Sequence, residues 1–166
     1  MTFASTLSKI ESSKIFQRLK QENPEMELCA GFFILDFFGN DTKKSLDYKI
    51  GGKIFTFTLE DNADVIFNED KLINLPNKPQ LSKLSPEIKV ELDELKSIAG
   101  VRALDEGINS KFNKIIAVLQ MNEGKQIWNL TCMLEHLIIL NILVDANTGE
   151  IIKFERKSMM DLIKKR

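Results

Sequence analysis

Val144-Asp145-Ala146-Asn147-Thr148-Gly149-Glu150-Ile151-Ile152 is the stretch whose reading decides the fold. Aliphatic residues flank a polar turn. Asp and Asn close such a turn through side-chain hydrogen bonds, Gly takes the left-handed position, and the flanking aliphatics pair across the hairpin. Working back from it, Leu137–Val144 is an apolar run of strand length, with Glu135-His136 as a turn before it. Gln126–Leu134 and Lys114–Met121 read as two further strands, joined by a turn at Asn122-Glu123-Gly124-Lys125. Glu150–Arg156 follows the last turn as a fourth strand. Strands this close in sequence predict an antiparallel meander.

A helix is predicted to precede the meander. Ser85-Pro86-Glu87 has the N-cap, the first-position proline and the first-turn acid of a helix start. Ile88, Leu92, Leu95 and Ala99 would line its buried face, with Gly100 as C-terminal cap. Residues 101–112 read either as loop or as a second short helix, weakened by Gly107.

The N-terminal half has a similar outline. Residues 5–22 predict one helix, opened by Ser8 and Glu11 as a capping box and ended by Asn23-Pro24. Glu27–Phe38 is apolar and aromatic on both alternating faces, the pattern of a central strand covered on both sides. Gly39-Asn40-Asp41 turns the chain. Leu46–Ile50, Gly51-Gly52 and Lys53–Leu59 read as a hairpin, with Phe55, Phe57 and Leu59 on one face. Ala63–Phe67 adds a short strand. An internal repeat, with Lys53–Leu59 matched to Gln126–Thr131, is one account of this likeness.

The fold class expected is α+β: an antiparallel sheet with helices packed on one face. Residues 1–73 and 86–166 form either two helix-plus-sheet lobes or a single domain, with 74–85, which contains Pro76 and Pro79, as the linker. Ser158–Arg166 reads as a terminal helix.

Composition narrows the function classes. Hydrophobic residues are 43% and charged residues 28%, a balance that excludes wholesale disorder. Net charge is −1, from 23 basic and 24 acidic residues, so neither nucleic acid nor an anionic membrane is an expected partner. The run Leu137–Val144 is far short of the ~20 residues of a membrane helix, so no membrane insertion is expected. The N-terminus lacks the features of a signal peptide, and a cytoplasmic location is expected. Eleven Phe against one Trp and one Tyr point to a ring-rich core. Cys29 and Cys132 sit in apolar runs and read as unpaired core thiols.

The C-terminal half resembles the PepSY domain, a small helix-plus-antiparallel-sheet module. The likeness rests on the segment from Pro86, on Ile115–Leu119, on Ile127-Trp128-Asn129-Leu130, and above all on the turn Val144–Ile152 with Lys153-Phe154-Glu155. It covers residues 86–157. The twelve residues at 101–112 are extra, and the N-terminal half is matched only as a degenerate second copy, of PepSY-like or cystatin-like type. The resemblance implies an inhibitory or regulatory binding module.

No catalytic, cofactor or metal-binding residues are assigned. His136 has no nucleophile pattern near it, and with Cys132 four residues away it makes at most half of a metal site. Asp61, Asp64, Glu69 and Asp70 lack calcium-loop spacing and read as a solvated loop. Gly51-Gly52 lacks the Gly-Lys-Ser/Thr of a phosphate loop. Asn129-Leu130-Thr131 fits a glycosylation pattern inside a strand. Lys43, Lys44, Lys49 and Lys53 with Tyr48 read as a solvated edge strand rather than a nucleic-acid surface, and Lys164-Lys165-Arg166 is too short to argue either. Trp128 reads as core.

A non-enzymatic binding or regulatory module is therefore the leading expectation, acting through a protein partner or a homodimer contact. The run Phe32-Phe33-Ile34-Leu35-Asp36-Phe37-Phe38 motivates it. The alternatives are a carrier or enzyme for a small apolar ligand held between sheet and helices, and an accessory subunit of a larger complex.

Overall fold

The computed structural model describes residues 1–71 and 82–158. Its elements are α1 (Phe3–Glu11), α2 (Lys14–Glu22), β1 (Glu27–Asp36), β2 (Lys43–Ile50), β3 (Lys53–Leu59), β4 (Val65–Lys71), α3 (Leu95–Asp105), β5 (Phe112–Asn122), β6 (Lys125–Leu134), β7 (Ile138–Asp145) and β8 (Ile151–Ser158). The strands form one eight-stranded sheet in the order β4-β3-β2-β1-β5-β6-β7-β8, and every neighbouring pair is antiparallel. The predicted C-terminal meander is present, and the N-terminal strands form a second one. They run outward in opposite directions from a central seam, β1 against β5, where Phe33 stands opposite Ala117 and Leu35 opposite Ile115. Lys53–Leu59 is the third strand of its half, whereas Gln126–Thr131 belongs to the second strand of the other, so these two segments do not occupy matching places.

The alternation of side chains defines two faces. On the inner face, Phe33, Leu46, Phe57, Leu119, Trp128, Leu130, Ile142 and Val144 are buried together with Phe3, Ile10, Phe16 and Leu19 of α1 and α2 and Leu95, Ala99 and Ala103 of α3. One core therefore serves both halves of the chain. Phe3, Phe33 and Trp128 meet edge-to-face at centroid distances of 5.9–6.5 Å, at the seam itself. Gly31 is needed in β1 because the Phe33 ring lies over it: a Cβ there would sit 2.9 Å from Phe33 Cε2.

The helices depart from the predicted boundaries for identifiable reasons. The 5–22 segment is two helices, because Ser13 leaves the helical region and caps α2 by accepting from Phe16 N–H. The N-cap of α1 is Thr2, in a reciprocal pair with Ser5, rather than Ser8. Pro86 starts no helix. Residues 88–90 stay non-helical because their backbone is bonded elsewhere: Lys89 and Val90 N–H donate to the Ala146 carbonyl, and Trp128 Nε1–H donates to the Val90 carbonyl at 2.8 Å. A short 3-10 turn at Leu92–Glu94 leads into α3. Gly100 lies inside α3, and Gly107, at φ +80°, follows its end.

Most of the predicted linker, and the predicted terminal helix beyond Ser158, lie outside the described residues. The last linker residues are part of the body of the protein. Leu84 is buried, and its N–H donates to the Leu28 carbonyl.

Candidate functional site

The residues picked out by sequence are scattered by the fold. His136 lies in the exposed β6–β7 turn at φ +67°, with Nδ1 3.3 Å from Ser110 Oγ. Cys132 points away from it into the inner core. Among the described residues no group of three or more His, Cys, Asp or Glu side chains is arranged to hold a metal ion. Asp61 and Asp64 occupy the β3–β4 turn, while Glu69 and Asp70 lie at the far end of β4, so the acidic residues do not converge. Tyr48 is buried, donating its hydroxyl to Glu11 Oε2 at 3.2 Å, and offers no ring to a base. Its strand, β2, is an interior strand rather than the edge expected, because β3 and β4 extend the sheet beyond it. Trp128 is fully buried, as its apolar strand neighbours predict.

Both cysteines are free. They lie on β1 and β6 with β5 between them. Burial pushes each thiol up to about 12; for Cys29 the charge of Asp47 adds to the effect. Neither has the low-pKa environment of a reactive thiol.

The phenylalanine run divides by strand alternation. Phe33 is fully buried on the inner face. Phe37, past the end of β1, is half-buried with Lys96 Nζ 4.2 Å from its centroid. Phe38 is 81% exposed in the β1–β2 turn. Phe32 projects from the outer face, on which none of the described helices packs. Among the described residues, β1 is thus central but covered by helices on one side only.

The outer face can be built row by row from the register. Phe32 stands beside Val118, and Ile34 beside Ile116, making an apolar block across the β1–β5 seam. All four side chains are half-buried, shielded by their strand neighbours. On one flank Ser45 and Thr58 hydroxyls bond each other at 2.9 Å, and Lys43 Nζ lies 5.6 Å from the Phe32 centroid. On the other flank Asn129 and Thr131 of β6 face Leu143 and Asn141 of β7. Asn141 Nδ2 donates to Asn129 Oδ1 and to the Leu130 carbonyl, which fixes its amide. The result is an apolar centre rimmed by hydroxyls and amides already oriented by their own hydrogen bonds. Alternation in β1 and β5 was the available signal for it; the seam that joins the two strands was not.

No family model matches the chain, and no curated protein matches it. Among solved structures it is similar to a proposed lipoprotein from Clostridium difficile 630, at 12% identity and a TM-score of 0.61, over 86% of this chain and 90% of that one. At this identity the likeness is one of fold. The class defined by these findings is an α+β protein built on a single antiparallel sheet.

Proposed function

We propose that the protein is a non-enzymatic interaction module that docks a protein partner on the outer face of its sheet. The single observation that carries this is the block Phe32, Ile34, Ile116 and Val118. It is a contiguous apolar surface at the sheet centre, against which none of the described helices packs. An apolar centre with a rim of hydroxyls and amides matches the layout of protein–protein interfaces. The helix-then-meander order of α3 and β5–β8 supports the regulatory role implied by the PepSY resemblance of residues 86–157.

Photo-crosslinking in the native host tests the proposal. A benzophenone side chain at Val118 should give a discrete crosslinked protein product. Threonine at Ile34 and Ile116 preserves strand preference while removing apolar surface, and should abolish that product. A product of equal yield from Lys89, or one insensitive to the threonine changes, would overturn the proposal.

A further inference from the structure

We infer that a second copy of this chain docks along the β8 edge, joining two sheets into one through an antiparallel β8–β8 contact. β8 ends the sheet, and among the described residues it pairs only with β7. An unpaired strand edge is a template for another strand, and an isologous contact must be complementary to itself.

β8 meets that condition. Lys153 and Glu155 project from the same face, where Lys153 Nζ lies 3.2 Å and Lys157 Nζ 3.8 Å from the Glu155 carboxylate. With the two-fold axis at Phe154, Lys153 of each copy faces Glu155 of the other, giving two opposite-charge cross-strand pairs. With the axis at Glu155, Lys153 would face Lys157, and like charges directly opposite are destabilising. The opposite edge offers less. In the β4 register that pairs Glu69 with Lys71, Asp70 faces its own copy.

The apolar surface nearby favours the same occupant. Ile152 is 47% exposed at the irregularity where β8 slips register against β7, between the pairs Val144–Ile151 and Leu143–Lys153. α3 reaches the edge strand where the Arg102 guanidinium lies 5.2 Å from the Phe154 ring centroid. On that same helix Val101 and Leu104 are 59% and 64% exposed. Two copies related by the axis at Phe154 place their α3 helices on the same side of the joined sheet, flanking that axis.

Charge reversal on the full chain, followed by sedimentation equilibrium, tests the inference independently of the outer-face proposal. The wild type should dimerise at micromolar to high-micromolar concentration. Lys153→Glu or Glu155→Lys alone puts like charges opposite each other and should raise the dimer dissociation constant about tenfold or more. The double reversal Lys153→Glu/Glu155→Lys should restore wild-type association, which also shows that loss in the single variants is not misfolding. The threonine variants of Ile34 and Ile116 should leave the dimer intact. A wild-type monomer throughout that range, a dimer indifferent to the single reversals, or a double reversal that fails to restore association would each overturn the contact.

Discussion

The Asp47 carboxyl is held inside the sheet by one hydroxyl, Thr56 Oγ1–H, which donates to it at 2.7 Å. Burial raises its pKa above the ordinary 3.8. The charge of Asp70 pushes the same way, while the Thr56 bond and Lys43 oppose. The native state therefore keeps its proton to higher pH than the unfolded chain. Asp47 weighs least on stability below that ordinary value, and its cost develops as pH rises through the raised native value. Asp47→Asn keeps an acceptor for Thr56 and removes the charge. Urea unfolding across pH should show the variant gaining on the wild type from acid toward neutral pH; a constant difference would refute this. Backbone strain gives a second prediction at the same scale. His136 and Leu137 are consecutive non-glycine residues at φ +67° and +58°, with Leu137 58% exposed. Glycine at either position should stabilise the fold by about 0.5–1 kcal/mol in thermal or urea unfolding. Gly149→Ala, at φ +81°, should cost about 1 kcal/mol.

Glu91 links two elements that sequence separates. Its carboxylate accepts from the Phe3 N–H at 2.7 Å and the Ala4 N–H at 3.3 Å, so it closes the first turn of α1 from 88 residues away. It also accepts from Leu92 N–H, closing the 3-10 turn that leads into α3. Glu91→Ala leaves part-buried donors without a partner and should cost about 1–3 kcal/mol in urea unfolding. Ser13→Ala, by contrast, removes one local cap and should cost about 1 kcal/mol. The turn after β7 has the same double duty. Asp145 Oδ1 accepts from Asn147 and Thr148 N–H, and the Ala146 carbonyl accepts from both Lys89 and Val90 N–H, which keeps those residues out of a helix. That tertiary anchoring is why a well-formed helix-start signal at Ser85-Pro86-Glu87 produces no helix.

For the whole molecule, the β1–β5 seam predicts cooperative behaviour. Phe3 and Phe33 from the first half pack on Trp128 from the second, so neither half has a complete core without the other. Unfolding followed by Trp128 fluorescence and by far-ultraviolet circular dichroism should give coincident transitions; two separated transitions would restore the reading of 1–73 and 86–166 as independent lobes. The sequence by itself determined the strands and their tight turns. Each depends on neighbours a few residues away: the period-two apolar pattern of Lys53–Leu59, the Gly51-Gly52 turn, and the Asp145–Gly149 turn. It also determined the α+β class and the burial of Trp128. Only the tertiary structure decided that the two meanders share one sheet. Pairing Phe32 with Val118 joins residues 86 positions apart, and nothing local to either strand specifies its partner. The same seam decided which phenylalanines are core and which are surface, because a strand has two equivalent faces until the helices cover one of them.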